Sequence, residues 1–278
     1  MELRFVKTNP TGNTTILVES PVEIGDQAEI AKILMRDDVL CAEQVGFLGA
    51  PRNPSAARAN LRMMGGEFCG NAAASLAAFL VWRDGGHEKE TKVPLEVSGA
   101  DGVTECLIKR CGEEFQGTVG IMPPLRIETL RLPLAGMKQE LPSVKLRGIT
   151  HVIVPLEILG PAQETRQSAE RAAKEWEGLI EDEAFGILLY ECQKNSITPL
   201  VCVKTSGTAV WERGCGSGSA AIGAYLASLA GSSEANVTTS VTQPGGIITV
   251  ETRRENGAVS GISITGNVRI VARGTAYI

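Results

Sequence analysis

Two near-copies of one short sequence, one in each half of the chain, constrain the fold more than any other feature. They read Glu67-Phe-Cys-Gly-Asn-Ala-Ala-Ala-Ser75 and Arg213-Gly-Cys-Gly-Ser-Gly-Ser-Ala-Ala221, and we call them the cysteine cassettes. In each cassette a Cys-Gly step precedes small residues and then an apolar run, a pattern typical of a turn that begins a helix. Such a helix start offers unpaired N–H groups and a positive dipole end, which bind an anion and lower the pKa of a thiol placed there. The cassettes therefore predict two similar lobes, each with one helix that begins at a cysteine.

Short apolar and β-branched runs around both cassettes predict several strands in each half. The expected strands lie at residues 3–6, 15–18, 93–107, 117–122, 152–155, 187–190, 238–242, 247–251, 262–264 and 268–272. The expected helices are one capped by Asp26 that runs through Met35, two cassette helices at 72–82 and 220–229 that end at Gly85-Gly86 and at Gly231, and one with Ala169, Ala172, Ala173 and Trp176 at helical spacing. The economical architecture is α+β, with two similar lobes and a cleft between them.

Composition and charge exclude several classes of function. A length of 278 residues suggests about two domains, and the net charge of −5 comes without a basic run interleaved with aromatics. Nucleic acid is therefore not an expected partner.

The first residues lack the features of a signal peptide, and no apolar stretch is long enough to span a bilayer, so we expect no membrane association and a cytoplasmic protein. The seven cysteines form neither CxxC pairs nor Cys/His clusters, so neither a disulfide framework nor a metal site is indicated.

Two activatable thiols that share one carboxylate-binding region suit the removal and return of an α-proton of an amino acid. The sequence has no GxGxxG or P-loop pattern and no phosphate-binding glycine loop that leads to a lysine, so direct acid/base chemistry without a cofactor is favoured. Three further residues stay ambiguous. His151 tunes a thiol or is an ordinary histidine at the start of a strand; Glu212 relays a proton, binds an ammonium group or lies at the surface; and Asn13 donates to a ligand or holds its own turn. His87, in a polar loop, is read as a surface residue.

These residues resemble the paired cysteine signatures of the diaminopimelate epimerase and proline racemase superfamily, whose members need no cofactor. The resemblance covers nearly the whole chain and includes Phe68-Cys69-Gly70-Asn71-Ala72 and Cys215-Gly216-Ser217-Gly218. It implies an α+β fold of two pseudo-symmetric lobes, each a mixed sheet around a central helix, with the last strand returning to the first lobe. The lobes would comprise residues 1–117 with 266–278, and residues 118–265.

A closer resemblance is to the histidine racemases of opine-metallophore (staphylopine-type) biosynthesis. It rests on the segments Asn9-Pro-Thr-Gly-Asn13, Glu43-Gln-Val-Gly-Phe47, Gln243-Pro-Gly-Gly246 and Gly274-Thr-Ala-Tyr277. This resemblance implies Cys69 and Cys215 as the acid/base pair, with His151 and Glu212 as groups that tune the thiols. It also implies substrate-binding residues, which are Asn13, Glu43, Gly70, Asn71, Gly216 and Ser217. A homodimer is likewise expected from the resemblance alone.

The choice of substrate depends on departures from the epimerase pattern. Cys215 follows Arg213 almost at once, where diaminopimelate epimerases run about eight residues further, and Ile149 replaces an asparagine that helps to hold the distal group of diaminopimelate. Histidine is therefore the first expected substrate. The alternatives are diaminopimelate, for which Arg213 would bind the distal carboxylate, or another amino acid. An alternative of a different class is an amino-acid binding protein that performs no chemistry.

Overall fold

The chain forms two compact units in a computed structural model, which describes residues 1–86, 89–159, 162–205, 207–230 and 235–278. Unit 1 comprises residues 1–120 and 265–278, and unit 2 comprises residues 121–264. In the described ranges no helix is both long and apolar enough to cross a bilayer. The loop assigned to His87 and the helix end assigned to Gly231 lie outside the described residues.

Unit 1 contains a mixed sheet and two helices. Its elements are β1 (Glu2–Pro10), β2 (Thr15–Val18), α1 (Ile24–Met35), β3 (Gln44–Gly49), β4 (Ala59–Met63), α2 (Gly70–Arg83), β5 (Glu90–Val97), β6 (Val103–Cys111) and β7 (Glu114–Ile121). The strands are ordered β1-β2-β3-β4-β5-β6-β7. The end of the last strand of the chain, β16 (Ala258–Tyr277), pairs antiparallel with β1, so residues 265–278 belong to unit 1, while residues 258–264 belong to unit 2.

Unit 2 contains mixed sheet and two further helices. Its elements are β8 (Arg126–Leu134), β9 (Met137–Leu146), β10 (Ile149–Pro155), α3 (Ala162–Trp176), β11 (Ala184–Glu191), β12 (Ser196–Val203), β13 (Thr208–Trp211), α4 (Gly216–Leu229), β14 (Asn236–Gln243) and β15 (Gly246–Glu255), with 3₁₀ turns at Leu156–Ile158 and Cys192–Lys194. The strand order is β15-β14-β12-β11-β10-β9-β8, and β13 pairs with β12.

The two units repeat one pattern. From β1 to β6 the neighbouring strands alternate antiparallel, parallel, antiparallel, parallel and antiparallel, and the same alternation runs through β9, β10, β11, β12, β14 and β15. The helices fall at similar places: α1 and α3 follow the second strand of the pattern, α2 follows the fourth, and α4 follows the fourth after the short strand β13. The predicted α+β fold of pseudo-symmetric lobes is confirmed.

In each unit the cassette helix is the central one. Helix α2 packs against β1, β2, β5 and β6, and α4 packs against the equivalent strands β9, β10, β14 and β15. Because these strands come from both ends of the strand order, each sheet curves around its helix. Residues 70–81 of α2 are all buried, and this explains why the cassettes run into small and apolar residues on every face. The first turn of each helix is thereby fixed by the sheet around it.

The outer helix of unit 2 follows its predicted pattern. Ala169, Ala172, Ala173 and Trp176 of α3 are buried in one apolar cluster with strand residues such as Phe185. The charged residues between them face outward, as the helical spacing predicts.

Three predictions of local structure were wrong. The first helix begins at Ile24, and its N-cap residue, Glu23, makes no side-chain capping hydrogen bond. Asp26 lies in the first turn, where its carboxylate interacts favourably with the helix dipole but does not cap the helix. The single strand predicted at 93–107 is the hairpin β5–β6, since Gly99 and Gly102 take positive φ angles of 73° and 86°. The two strands predicted at 262–264 and 268–272 are one continuous strand, β16.

Candidate active site

Each cassette cysteine is the N-cap of its central helix. Cys69 and Cys215 have extended backbone angles, with φ of −132° and −102°, and both helices begin at the next residue. The sulfur of Cys69 accepts a hydrogen bond from Ala72 N–H at 3.4 Å, and that of Cys215 accepts one from Gly218 N–H at 3.3 Å. These are the contacts of an N-cap side chain, and they place both sulfurs at the positive end of a helix dipole. Neither first turn contains an acidic residue that would compete for an anion.

The Cys69 site of unit 1 is a network of amide side chains, which we define as Cys69, Gln44, Asn13, Asn71 and Glu43. The Cys69 thiol lies 3.2 Å from Gln44 Oε1, and Gln44 Nε2 donates to Asn13 Oδ1 at 2.7 Å. Asn71 Nδ2 donates to the same Asn13 oxygen at 3.1 Å, and Asn13 Nδ2 donates to Glu43 Oε2 at 2.7 Å. Asn13 is buried, so its side chain organises the other members of the network.

The Cys215 site of unit 2 is built differently, from Cys215, Ser217, His151, Glu212 and Gln243. Ser217 Oγ lies 3.5 Å from Cys215 Sγ and 2.9 Å from His151 Nε2, so the hydroxyl bridges the thiol and the imidazole. Gln243 accepts from the Cys215 backbone N–H through Oε1 at 2.6 Å, and its Nε2 donates to Ser219 Oγ at 2.7 Å. The buried Gln243 side chain thus fixes the start of α4.

His151 is a neutral histidine. Complete burial lowers its pKa from 6.5 to about 3, because desolvation disfavours the imidazolium ion. Its Nδ1 atom is buried and has no hydrogen-bond partner among the described residues. A proton on Nε2 leaves only an unpaired acceptor at Nδ1, which costs less than an unpaired N–H donor. His151 Nε2 therefore donates to Ser217 Oγ, and the Ser217 hydroxyl proton is directed toward Cys215 Sγ.

The imidazole of His151 fits only because residue 186 is glycine. His151 of β10 pairs with Gly186 of the parallel strand β11, and a Cβ atom at Gly186 would lie 2.2 Å from His151 Nδ1. A methyl group at that position would displace the ring.

Cys215 is held as a thiol in the folded chain. Burial raises its pKa well above the ordinary value, and the nearby Glu212 carboxylate, which is hydrogen-bonded to the thiol, raises it further. The hydrogen bonds from Ser217 and from Gly218 N–H act in the opposite direction and lower it. A base is therefore needed to take the proton from Cys215, and Glu212 is the carboxylate in contact with it.

The remaining predicted site residues lie close to these two clusters or at their edge. Gly70 and Gly216 are the first residues of α2 and α4, and each is buried. The side chain of Arg213 is exposed, and its backbone carbonyl accepts from Gly245 N–H at 2.7 Å.

Two residues of these clusters, Gln44 and Gln243, were not predicted as site residues. Each is a polar side chain at one end of a strand, and each lies in a segment that carries the family resemblance. Their partners come from distant segments, so the residue pattern alone does not identify them.

The buried neutral histidine predicts a pH dependence of stability. Between pH 6.5 and about 3 the unfolded chain binds a proton at His151 that the folded chain does not, so this contribution to stability is complete above pH 6.5 and is lost as the pH falls. We expect the free energy of unfolding to fall by about 1.4 kcal/mol per pH unit below 6.5 on this account.

Urea unfolding between pH 4.5 and 7.5 measures this slope. His151→Asn should reduce it. Equal slopes in wild type and His151→Asn would contradict burial of a neutral His151.

The fold places the chain in a structural class. A solved structure of a probable proline racemase from Agrobacterium radiobacter K84 is similar with a TM-score of 0.73 and 15% identity, covering 99% of this chain and 92% of that one. A hydroxyproline epimerase from Agrobacterium vitis matches with a TM-score of 0.72, 14% identity and the same coverage. The fold is therefore that of the proline racemase-like and epimerase-like proteins.

Sequence comparison then gives the family. A family model described as the histidine racemase CntK N-terminal domain matches residues 2–277, and the chain belongs to this family. A histidine racemase from Fusobacterium nucleatum is 30% identical over 280 residues, covering 99% of this chain and 97% of the relative. One from Staphylococcus aureus (strain Mu50) is 29% identical over 276 residues, covering 99% and 98%. The chain is thus an isomerase of the amino-acid racemase class.

Proposed function

We propose that this chain interconverts L- and D-histidine without a cofactor, with the thiols of Cys69 and Cys215 as its two acid/base groups. Racemisation of this kind requires one group that removes the α-proton from one face of the carbon and another that returns a proton to the opposite face. The observation that carries the proposal is that a cysteine caps the central helix of both units. Each unit supplies one sulfur at a helix start, so the chain contains a matched pair.

The helix starts would also stabilise the carbanion. An α-proton is far less acidic than a thiol, so the negative charge that develops toward the substrate carboxylate must be stabilised. Backbone N–H groups of the first turns, at Gly70, Asn71, Gly216 and Ser217, are oriented for this purpose along the helix axes. The absence of acidic residues from both first turns favours an anion there.

The surroundings of Cys215 support its use as a base. Glu212 would accept the thiol proton, and the Ser217 hydroxyl, oriented by His151, would then donate to the thiolate that remains. This gives His151 a positioning role, because its hydrogen bond reaches the sulfur only through Ser217.

Histidine as the substrate rests on the histidine racemases that resemble this chain over their whole length. Glu43 is the carboxylate of the Cys69 site and would bind the substrate ammonium or imidazole group, while Asn13 holds that carboxylate through Nδ2. The expected role in opine-metallophore biosynthesis, the homodimer, the lack of a nucleic-acid partner and the cytoplasmic location stay predictions.

Proton NMR in D₂O tests the proposal directly. The reduced protein is incubated with L-histidine, LL-diaminopimelate and a panel of other amino acids, and the α-proton signal is followed with optical rotation. With histidine, we expect the α-proton signal and the optical rotation both to disappear. Exchange with diaminopimelate alone would transfer the assignment to that substrate and to Arg213. No exchange with any amino acid would favour a binding protein.

The bridging hydroxyl of Ser217 gives a separate prediction. Ser217→Ala removes a hydrogen bond to a thiolate, which is typically a contribution of about 1.5–3 kcal/mol, so we expect kcat to fall roughly 10-fold to 100-fold. Ser217→Thr keeps the hydroxyl and should retain most activity. The L-to-D and D-to-L rates are measured by circular dichroism of the substrate. Wild-type kcat in Ser217→Ala would show that His151 and Cys215 are not coupled through this residue.

A further inference from the structure

We propose that Gln44 is a positioning residue that holds Cys69 in its protonated, proton-donating form. The inference rests on the proposed two-thiol reaction and adds to it the residue that controls the protonation state of one sulfur. It arises from the order of donors and acceptors in the Cys69 site, in which Gln44 Oε1 lies 3.2 Å from the thiol.

The chain of donors and acceptors in the Cys69 site starts at the Glu43 carboxylate. A carboxylate only accepts hydrogen bonds, so the Asn13 side chain must present Nδ2 to it, at 2.7 Å. Asn13 Oδ1 then faces the other way and must receive donors. It receives two, from Gln44 Nε2 at 2.7 Å and from Asn71 Nδ2 at 3.1 Å. The carboxylate thereby fixes the orientation of amide groups that are otherwise nearly symmetrical in shape.

Thr15 fixes the orientation of Gln44 a second time. The Thr15 hydroxyl donates to the backbone carbonyl of Asn13 at 3.1 Å, so its oxygen is an acceptor toward Gln44. Gln44 Nε2 donates to it at 2.7 Å. Both N–H groups of the Gln44 amide are thus committed, to Asn13 and to Thr15. The only polar atom that Gln44 can present to Cys69 is its carbonyl oxygen.

An amide oxygen has no proton to give, so Cys69 must supply it. The Cys69 sulfur accepts from Ala72 N–H and donates its own proton to Gln44, which satisfies a neutral thiol. A thiolate at the same place would face the negative end of the Gln44 carbonyl dipole. A hydrogen bond to the neutral form of a group favours that form. Gln44 therefore stabilises the protonated state and leaves the thiolate strongly basic once the proton has gone.

The Cys215 site differs in its acceptor. There the nearest hydroxyl, Ser217, is directed as a donor toward the sulfur, and the acceptor is the Glu212 carboxylate, which can itself take a proton. Gln44 cannot take one. The two sulfurs thus occupy similar helix starts but differ in the acceptor beside them: the carboxylate beside Cys215 can take the thiol proton, and the amide oxygen beside Cys69 cannot.

The test compares the alkylation of Cys69 in wild type, Gln44→Met and Gln44→Glu. The rate of modification by iodoacetamide is measured between pH 6 and 10 by mass spectrometry of the Cys69 peptide, with the exposed Cys111 in the same digest as reference. Gln44→Met keeps the length and removes the acceptor, and the midpoint of the Cys69 profile should fall by about one pH unit. Gln44→Glu keeps an acceptor and adds a negative charge, and the midpoint should rise by at least as much.

The matched control is Gln27→Met, which changes another buried glutamine of unit 1 whose Nε2 donates to the Val22 carbonyl. Its Cys69 profile should equal that of wild type. An unchanged or raised midpoint in Gln44→Met would overturn the proposal, because a purely structural role or simple desolvation gives those results. The alkylation profile needs no substrate, so it is readable whether or not the protein racemises histidine, and the NMR exchange experiment tests that question separately.

Discussion

Replacing either Cys69 or Cys215 by serine is expected to lower racemisation by at least ~10³-fold in both directions, because a positioned acid/base group contributes about 10²–10⁴-fold and a hydroxyl is a far weaker acid than a thiol. Serine is a preferred N-cap residue, so helices α2 and α4 should still begin at residues 70 and 216. The fold is therefore expected to survive both substitutions, and the loss should be one of chemistry.

The measurement is racemisation by polarimetry together with thermal unfolding of each variant. Cys111→Ser, at an exposed cysteine of unit 1, is the control and should keep wild-type activity. Appreciable activity in both single variants, with intact folding, would remove the two-thiol mechanism.

Gly186→Ala is the second large effect that we expect. The new methyl group would lie 2.2 Å from His151 Nδ1, inside contact distance, so the imidazole must move away from Ser217. Overpacking of this kind typically costs about 1–3 kcal/mol of stability, and the loss of the oriented Ser217 hydroxyl should lower kcat by a further ~10-fold or more. Both losses have one origin, which is the position of the His151 ring.

Gly178→Ala is the matched control, because a Cβ atom there meets nothing within 4 Å. Urea unfolding and steady-state kinetics of the two variants should differ clearly, with Gly178→Ala close to wild type. Should Gly186→Ala retain full stability and activity, His151 would have no role that depends on its position.

Much of the local structure could be predicted from the sequence. The cassette helices were expected about two to four residues too late, at 72 and 220, because the glycines after each cysteine are poor helix formers in isolation; the structure begins them at Gly70 and Gly216. The strand pattern gave the fold class but not the hairpin at Gly99 to Gly102, where positive φ angles reverse the chain. Local propensity does not show at which of several glycines the chain reverses direction.

The residues around each thiol illustrate the limit of that prediction. Gln44 reaches Cys69 because β2 and β3 pair in parallel, with Thr15 opposite Gln44, and this register brings the amide to the hydroxyl. His151 reaches Ser217 across 66 positions of sequence. Neither contact has a periodicity or spacing that marks it, because strand pairing between distant segments decides both.

The sequence by itself determined the two cassette cysteines and the helix that follows each of them, since an N-cap depends on a few consecutive residues and the same cassette occurs twice. Only the tertiary structure decided what each sulfur meets: an amide oxygen at Cys69, and a hydroxyl and a carboxylate at Cys215. The physical reason is that a thiol's protonation depends on donors and acceptors within a few ångströms, and these come from strands that the chain brings together only when it folds.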